Sequence, residues 1–330
     1  MSKKIVVTGG AGFIGRESVL KLVKSGYDVV CFDLAEQIMR HRVLLDEIGM
    51  QGKLTLIPGS ILDRTAIRDA VSGAEVILHL AAMLGVKKTE DNKLACIEIN
   101  INGTDNVLNA AISHGVKKFV FASSSEVYGE PNRNPIKETD DTKGKTVYAV
   151  TKLAGEELTK GYHQRYPTMD YTIVRFFNTY GEGQVAQFVL SRFVQSVLAG
   201  KNPVVYGDGR QTRSYGHVED VTRGVQSIIE NPVSNGKVYN LGNSTQVMTL
   251  SELAQRTIDL VGPDKGLKVE VLGDFNGADR IREREIHVRY CDTSYAKAEL
   301  GYEATITVDE GIRRIATQKT VIHTDWPVAI

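Results

Sequence analysis

The stretch VVTGGAGFIG, residues 6–15, joins a run of β-branched residues to the beginning of a helical pattern. Its glycines Gly9, Gly12 and Gly15 are spaced G-x-x-G-x-x-G. Between a strand and a helix, this spacing allows a tight turn, close approach of a pyrophosphate to the backbone, and close packing of the helix on the strand. The free N–H groups at the helix N-terminus favour a bound anion. The stretch therefore predicts a dinucleotide site, and a tight turn alone is the simpler alternative.

Short apolar runs and helical patterns alternate along the first half of the chain. The apolar runs lie at residues 4–9, 27–33, 53–59, 74–82, 117–125 and 171–177. They are apolar throughout, as strands buried on both faces of a parallel sheet are. The helical patterns at residues 13–26 and 103–115 each end at a glycine in a C-cap position. We predict an α/β fold with a doubly wound parallel sheet built from right-handed βαβ units.

The alternation becomes irregular after about residue 178, where Gly, Asn and Pro are frequent around a helical pattern at residues 185–200. We expect a dinucleotide-binding domain at residues 1–177 and a smaller mixed α/β region at residues 178–330. The second region supplies most of the substrate cleft, and some of its segments return to the first domain. No internal repeat or long linker separates the two regions.

Composition excludes several classes of protein. The 330 residues are 42% hydrophobic and 24% charged, which is typical of globular proteins. The 40 Lys and Arg residues balance 40 Asp and Glu residues, so no overall field draws the chain to nucleic acid or to an anionic membrane. Neither a signal-peptide pattern nor an apolar run of about 20 residues is present. The three cysteines lack C-x-x-C spacing. We expect a soluble cytoplasmic protein with reduced thiols.

Asp33 ends the second predicted strand, where a carboxylate can accept hydrogen bonds from an adenosine ribose diol. The same carboxylate would repel a 2′-phosphate, and the residues that follow, Leu34 and Ala35, are not basic. Arg40 is a nearby residue that could accommodate a 2′-phosphate. The pattern predicts NAD, in preference to NADP.

Tyr148 and Lys152 are one turn apart on a helix predicted from about residue 147, so their side chains share a face. The hydroxyl-rich stretch SSSEVYG, residues 123–129, follows the strand predicted at 117–125. Ligands of open parallel sheets bind at the carboxyl ends of the strands, where this stretch lies. The two observations favour a catalytic pair over a solvent-exposed Tyr and Lys.

Together these stretches resemble the extended short-chain dehydrogenase/reductase family over nearly the whole chain. The matching stretches are TGGAGFIG (8–15), Asp33, HLAA (79–82), N-x-N-G-T (100–104), SSSEVYG (123–129), YAVTK (148–152), RFFNTYGEGQ (175–184), VYGDGRQTRSYGHVEDV (205–221) and YNLGN (239–243). The resemblance implies a Rossmann-type fold, a bound NAD, and action on a UDP-, GDP- or dTDP-linked sugar.

The resemblance also implies the residues that contact the cofactor. These are Gly9, Gly12, Phe13, Ile14, Gly15, Asp33, Ser60, Ile61, Leu80, Ala81, Ala82, Asn100, Ser123, Tyr148 and Lys152. The chain departs from the family after Gly59, where relatives usually have an Asp that binds the adenine amino group and this chain has Ser60. We expect altered affinity there and the same cofactor.

The implied chemistry is transient oxidation of the sugar, usually at C4. Tyr148 is then the acid/base, Lys152 lowers its pKa, and Ser124 orients the same sugar hydroxyl. Glu126 is a possible base at C5, and a structural carboxylate is the alternative. Dehydratases of the family resemble TDEVYG and decarboxylases TSEVYG, so Ser124, Ser125 and Glu126 match the decarboxylase pattern most closely. The segment at residues 83–92 is closer to that of the epimerases.

Substrate contacts are implied for Met83, Ser124, Ser125, Asn178, Tyr206, Arg213 and Arg289. Arginines suit the substrate diphosphate because a guanidinium binds phosphate oxygens bidentately. Arg282 is a second candidate, although the charge run at residues 279–285 is equally typical of a solvated face. Tyr206 has a core role as its alternative. No histidine has metal-ligand spacing, so we expect no metal.

We therefore predict an NAD-dependent nucleotide-sugar epimerase/dehydratase. The alternatives are a UDP-glucuronate decarboxylase-like activity, net NAD-dependent oxidation of a nucleotide sugar, and a non-catalytic NAD-sensing protein. The helices around residues 94–114 and 147–165 resemble pairs that form a four-helix dimer interface in relatives, which implies a homodimer. Alternatively, the apolar faces of these helices pack within one chain. The sequence leaves the nucleotide and the sugar open.

Overall fold

The computed structural model describes residues 2–275 and 282–318, without the side chain of Val86. Its helices are α1 (Phe13–Lys24), α2 (Ala35–Arg40), α3 (Arg42–Gly49), α4 (Arg64–Val71), α5 (Val86–Asp91), α6 (Lys93–Ile97), α7 (Gly103–Ser113), α8 (Val147–Arg165), α9 (Val189–Leu198), α10 (Val218–Glu230), α11 (Leu250–Val261), α12 (Ser294–Leu300) and α13 (Val308–Thr317). A π-helical segment, Glu98–Asn102, joins α6 to α7, and 3₁₀ turns lie at Ser125–Tyr128, Pro232–Ser234, Pro263–Lys265 and Arg282–Arg284.

The strands are β1 (Lys4–Thr8), β2 (Asp28–Asp33), β3 (Leu54–Pro58), β4 (Val76–His79), β5 (Lys118–Ser124), β6 (Asp170–Phe176), β7 (Thr179–Tyr180), β8 (Val204–Val205), β9 (Thr212–Ser214), β10 (Gly216–His217), β11 (Lys237–Leu241), β12 (Val247–Thr249), β13 (Glu270–Val271) and β14 (Val288–Arg289). Seven of them form a parallel sheet in the order β11-β6-β5-β4-β1-β2-β3. In the middle of this sheet, Val7 pairs with Cys31 on one side and with Leu78 on the other. The predicted α/β class and doubly wound sheet are confirmed.

The strands β1 to β5 lie within the predicted apolar runs, β6 begins one residue before its run, at Asp170, and the seventh strand was not predicted. It is β11, which comes from the second half of the chain and pairs in parallel with β6. The region after residue 178 therefore supplies one strand of the central sheet in addition to forming the smaller second region. The helix expected at residues 185–200 begins later, at Val189.

Helices cover both faces of the sheet, which explains why its strands are apolar throughout. On one face, side chains of α1, α10 and α12, such as Val19, Val225 and Ala296, pack against the strands. On the other face, side chains of α4 and α7, such as Ile67 and Val107, pack in the same way. All three cysteines are buried and free.

The second region packs α9, α11 and α13 around a separate apolar cluster that includes Phe193, Leu253 and Ile312. The region also contains three small sheets: β7 pairs with β10, β8 pairs with β13, and β9 lies between β12 and β14. This arrangement places the region beyond the carboxyl ends of the central strands. No helix of the described ranges is long and apolar enough to span a membrane.

The glycines of residues 6–15 are required by close backbone contacts. Gly9 has a φ of 70°, and a Cβ there would lie 2.7 Å from the Ala81 nitrogen. A Cβ on Gly15 would lie 2.1 Å from the Gly9 carbonyl oxygen. Side chains are thus excluded where the turn meets the end of β4 and where α1 meets β1.

Candidate active site

A cleft of about 680 Å³ lies between the carboxyl ends of the central strands and the second region. It is lined by the predicted site residues Gly9, Gly12, Phe13, Ile14, Gly15, Asp33, Ser60, Ile61, Leu80, Ala81, Ala82, Met83, Ser123, Ser124, Ser125, Glu126, Tyr148, Lys152, Asn178, Tyr206, Arg213 and Arg289. The fold thus brings residues from both halves of the chain to one site, of the shape and size that small-molecule ligands occupy.

One end of the cleft has the features that a dinucleotide needs. The turn after β1 leads to the N-terminus of α1, where free N–H groups meet the cleft. Asp33 accepts hydrogen bonds from the nitrogens of Ala11 (2.9 Å) and Leu34 (2.8 Å). Burial raises the pKa of the Asp33 carboxyl to about 6. A glycine-lined turn, a helix N-terminus and a carboxylate at the end of β2 fit a nucleotide with a free ribose diol. Arg40 is exposed and is not among the residues of the cleft wall.

Tyr148 and Lys152 project from the first turns of α8, whose N-cap is Thr146. The Lys152 ammonium lies 5.8 Å from the centre of the Tyr148 ring and donates a hydrogen bond of 2.7 Å to the Ala122 carbonyl. Burial lowers the pKa of Lys152 to about 8. Burial and the nearby Glu126 raise the pKa of Tyr148, and a hydrogen bond with Ser124 acts in the opposite direction. The predicted Tyr, Lys and Ser therefore form one cluster.

A buried network holds this cluster in place. Ser123 donates a hydrogen bond of 2.5 Å to Glu156, one turn after Lys152 on α8. Arg175 of β6 donates to both oxygens of Glu156, at 2.9 and 2.7 Å. In addition, the Arg175 guanidinium donates a hydrogen bond of 2.9 Å to the Tyr128 hydroxyl. These side chains join α8, β5 and β6. Ser123 therefore has a structural contact in addition to its predicted contact with the cofactor.

Glu126 and Arg289 form an ion pair in the cleft wall, with only 8% and 3% of their side chains exposed. Glu126 belongs to the 3₁₀ turn after β5, and Arg289 belongs to β14 of the second region. The Arg289 Nε is buried and has no hydrogen-bond partner among the described residues. Its Nη2 lies 3.5 Å from the Asn178 side-chain oxygen. One buried donor of this arginine thus lacks a partner in the described part of the chain.

Arg213 also belongs to a buried ion pair. It donates hydrogen bonds to Glu285 (2.7 Å) and to the Ile286 carbonyl (2.6 Å). Arg282, its alternative as a phosphate clamp, is exposed and lies against the Phe275 ring, as expected of a solvated face. Tyr206 borders the cleft with the Arg192 guanidinium 5.1 Å from its ring centre, so it is not a buried core residue.

Asn100 is not among the residues that line the cleft, and its expected contact with the cofactor stays a prediction. Its side chain accepts a hydrogen bond from the Met83 nitrogen at 2.7 Å and donates to the Met83 carbonyl and the Thr151 hydroxyl, each at 3.0 Å. The π-helical segment places this side chain between the end of β4 and α8. Asn100 therefore supports the residues that line the cleft.

Several cleft residues were not predicted from the sequence. The hydroxyls of Thr179 and Tyr215, the Gln187 amide nitrogen and the Gln211 amide oxygen are buried without hydrogen-bond partners in the described part of the chain. All four residues line the cleft. Three of them lie within quoted motifs, RFFNTYGEGQ and VYGDGRQTRSYG, but nothing in those motifs indicates which side chain faces the cleft. Such groups need a partner that the described residues do not supply, such as water or a ligand.

The histidine of HLAA has a structural role. His79 is buried between the hydroxyls of Thr8 (2.7 Å) and Thr104 (3.0 Å), and burial lowers its pKa to about 3. No group of His, Cys, Asp and Glu side chains within the described ranges could hold a metal ion.

Comparisons with known proteins agree with this geometry. The family model described as GDP-mannose 4,6 dehydratase matches residues 6–315. A UDP-N-acetyl-alpha-D-glucosaminuronate decarboxylase from Bacillus cytotoxicus is 38% identical over 265 residues, which cover 77% of this chain and 79% of that protein. A dTDP-glucose 4,6-dehydratase from Streptomyces griseus is 29% identical over 316 residues, which cover 94% and 92%.

A solved structure has the same fold. It is the UDP-glucuronic acid 4-epimerase from Bacillus cereus in complex with UDP-glucuronic acid and NAD, with a TM-score of 0.84 and 26% identity. The match covers 94% of this chain and 97% of the epimerase. The similar proteins carry out different reactions on nucleotide sugars, so the family is shared and the reaction varies. The expected NAD is confirmed, and the NAD-sensing alternative is rejected. The chain belongs to the GDP-mannose 4,6-dehydratase-like family of extended short-chain dehydrogenases/reductases and is an NAD-dependent nucleotide-sugar enzyme of the epimerase/dehydratase type.

Proposed function

We propose that the protein decarboxylates a UDP-linked hexuronic acid through transient oxidation of the sugar at C4. The observation that carries the proposal is the buried ion pair of Arg289 and Glu126 beside Tyr148. The similar proteins named for a glucosaminuronate and for glucuronic acid support a uronate substrate.

Oxidation at C4 requires a base and a hydride acceptor. Tyr148, bonded to Ser124, takes the proton of the C4 hydroxyl as the C4 hydride leaves. When held along the glycine turn after β1, NAD would supply the hydride acceptor for this oxidation and the hydride donor for the later reduction. Because burial raises the pKa of Tyr148, the phenolate needs a positive charge beside it. Lys152 supplies that charge, with its ammonium 5.8 Å from the centre of the Tyr148 ring.

The C4 ketone is β to the carboxylate at C6, and this relationship makes the C5–C6 bond easy to break. The electron pair of that bond moves between C5 and C4, giving an enolate at the C4 oxygen, and carbon dioxide leaves. Tyr148, protonated in the first step, donates a hydrogen bond to the enolate oxygen. C5 then takes a proton from water. Restoring the C4 alcohol would need a hydride at C4 and a proton at the C4 oxygen, and Tyr148 gives back the proton that it took in the first step.

This route needs no base at C5, in agreement with the contacts of Glu126. Its carboxylate is bonded to Arg289, and the neighbouring position that would carry the dehydratase Asp is Ser125. We assign to Arg289 the binding of the C6 carboxylate through its unpartnered Nε. Glu126 then fixes the guanidinium, since an arginine can bind two carboxylates through separate N–H groups.

The direct test is the mass of the product. The NAD-loaded enzyme is incubated separately with UDP-glucuronate, UDP-N-acetylglucosaminuronate, UDP-glucose and UDP-N-acetylglucosamine, and each product is measured by mass spectrometry. We expect loss of carbon dioxide from a uronate and no change in the neutral sugars. An unchanged mass with a new retention time would show epimerisation. Loss of water would show dehydration, and loss of hydrogen would show net oxidation. Each of these three results would contradict the proposal.

Two arginine variants test the carboxylate site. Arg289→Met should raise the KM for the uronate by about 10- to 200-fold, because the buried charged hydrogen bond contributes about 1.5–3 kcal/mol. Arg282→Met, which changes an exposed arginine of the same segment, should leave it unchanged. A decarboxylase that keeps its uronate KM in Arg289→Met would show that the carboxylate binds elsewhere.

We also propose that the protein is a homodimer. The helices α6 and α8 expose the apolar side chains Leu94 (83%), Ile97 (41%) and Val150 (54%), which a second chain could cover. These residues lie on the helices that the family resemblance assigns to a dimer interface. Sedimentation at micromolar concentration should give the mass of two chains, and Leu94→Glu should shift it to one. A monomeric unmodified protein would refute the dimer.

A further inference from the structure

The helix α5 lies between the cleft and the N-terminus of the catalytic helix α8. It follows β4 through Leu84 and Gly85, which line the cleft, and one face of α5 adds Lys88 to the cleft wall. Burial lowers the pKa of Lys88, as expected where an ammonium leaves water. Glu90, two residues later, faces α8. The same short helix thus touches the substrate side of the cleft and the helix that carries Tyr148.

Glu90 binds the backbone at the beginning of α8. Its Oε1 accepts a hydrogen bond of 2.9 Å from the nitrogen of Val147, the residue before Tyr148. Thr146 accepts a second one, of 3.1 Å, from the Ala149 nitrogen. The first N–H groups of a helix have no partner within it. Here the N–H groups on either side of Tyr148 are both satisfied by side chains, one from α8's own N-cap and one from α5.

The second oxygen of Glu90 adds charged contacts. It lies 3.6 Å from the Lys93 ammonium and 3.8 Å from the Arg284 guanidinium. Arg284 also donates a hydrogen bond to the Lys145 carbonyl, just before α8. Because 17% of the Glu90 side chain is exposed, these ion pairs are partly screened by solvent. The hydrogen bond to Val147 is therefore the contact that fixes the backbone next to Tyr148.

We propose that Glu90 is a positioning residue for Tyr148. It holds the first turn of α8 so that the Tyr148 hydroxyl meets Ser124, and it links that position to the cleft-lining segment that carries Lys88. The proposal rests on the proposed role of Tyr148 as the acid/base. A displacement of about 1 Å at a reacting group can cost about 100-fold in rate, so a backbone contact one residue away can control turnover.

The experiment compares Glu90→Ala, Glu90→Gln and Asp91→Ala in the NAD-loaded enzyme. Glu90→Ala removes the acceptor for the Val147 N–H. Glu90→Gln keeps an acceptor oxygen and removes the charge. Asp91→Ala removes an exposed carboxylate of the same helix and serves as the matched control. The measurements are kcat and KM for the nucleotide sugar that the unmodified enzyme converts, the rate of hydride transfer to NAD in a single turnover, and the urea midpoint of unfolding.

We expect Glu90→Ala to lower kcat and the hydride-transfer rate by about 10-fold or more, with less than about a 2-fold change in KM. Glu90→Gln should recover most of this loss, and Asp91→Ala should match the unmodified enzyme. A helix cap with a purely structural role would instead lower the urea midpoint of Glu90→Ala without slowing hydride transfer, and this result would overturn the proposal. A Glu90→Gln variant as slow as Glu90→Ala would also overturn it, because the hydrogen bond is then not the cause.

The same experiment separates the proposal from the proposed function. An unmodified enzyme that epimerises its substrate would refute decarboxylation and would still reveal the effect of Glu90 on hydride transfer. An unmodified enzyme with normal decarboxylation and an equally fast Glu90→Ala variant would refute the role of Glu90 alone. If hydride transfer is slow in Tyr148→Phe but as fast in Glu90→Ala as in the unmodified enzyme, the role of Glu90 alone is likewise refuted.

Discussion

The Lys152 ammonium and the Tyr148 ring lie 5.8 Å apart, on one face of α8, and the ammonium is bonded to the Ala122 carbonyl at 2.7 Å. Lys152 is buried, and this burial lowers its pKa to about 8. The ammonium that is proposed to support the Tyr148 phenolate is therefore charged below about pH 8 and neutral above it. The proposed mechanism thus depends on a lysine that titrates within the usual pH range of enzyme assays.

The lowered pKa of Lys152 predicts how kcat/KM depends on pH on the alkaline side. Values of kcat/KM, measured from about pH 6 to about pH 10, should fall as the pH rises through about 8, because Lys152 loses its proton. Lys152→Arg keeps the charge at all these values of pH, so the fall should move to higher pH. A Lys152→Arg profile with the same limb would assign the titration to another group.

Loss of the Tyr148 hydroxyl should affect chemistry and not binding. Tyr148→Phe should lower kcat by about 10²- to 10⁴-fold, the usual contribution of a general acid/base. The KM for the nucleotide sugar and the amount of bound NAD should change little, since the ring remains. Steady-state kinetics and the absorbance of the released cofactor measure these quantities. Unchanged turnover would remove Tyr148 from the mechanism.

NAD affinity should depend on the protonation of Asp33. Burial raises the pKa of this carboxyl to about 6, so the ionised form that accepts ribose hydroxyls is lost as the pH falls through about 6. NAD binding, measured by fluorescence titration of the cofactor-free protein, should weaken over that range. Asp33→Asn should bind NAD more weakly, remove this pH dependence and narrow the difference between NAD and NADP. An unaltered preference for NAD would contradict the assignment.

The pair of Glu156 and Arg175 should be necessary for stability. Both side chains are buried, with 1% and 6% exposed, and they are joined by two hydrogen bonds. Glu156→Gln leaves the arginine uncompensated, so we expect the free energy of unfolding to fall by about 3–5 kcal/mol in urea titrations. The control is Glu157→Gln, whose parent side chain is 71% exposed and should contribute less than about 1 kcal/mol.

Local sequence patterns predict the features that are determined by residues close together in the chain. The glycine turn of residues 6–15, the apolar strands and the Tyr148–Lys152 spacing each follow from neighbours within one turn or one strand, and the structure contains all of them. The family resemblance added residues such as Asn178 and Arg289, which also border the cleft. The roles of these residues remain predictions that the experiments above address.

The contacts that a local pattern does not predict join distant segments. Arg289 and Glu126 are 163 positions apart, and Arg213 and Glu285 are 72 apart. Nothing near either arginine indicates a carboxylate partner, because the pairing depends on how the second region lies over the sheet. The strand β11 was missed for a similar reason: its five residues, KVYNL, include two polar side chains, and its pairing with β6 requires the long return of the chain.

The π-helical segment at Glu98–Asn102 changes the phase of the helix that passes through it. A π-turn contains one more residue than an α-helical turn, so the side chains after it are rotated by about 100° relative to a regular α-helix. Before it, Cys96 is directed to the side of α8; after it, Gly103 meets the Ile61 side chain, where a Cβ would lie 2.5 Å from the Ile61 Cδ1. A single-residue deletion within this segment would restore a regular helix and turn one of these two faces away from its neighbour. The length of the segment therefore keeps α8 and the Ile61 end of the cleft in register, while its residue Asn100 adds the side-chain hydrogen bonds to Met83 and Thr151.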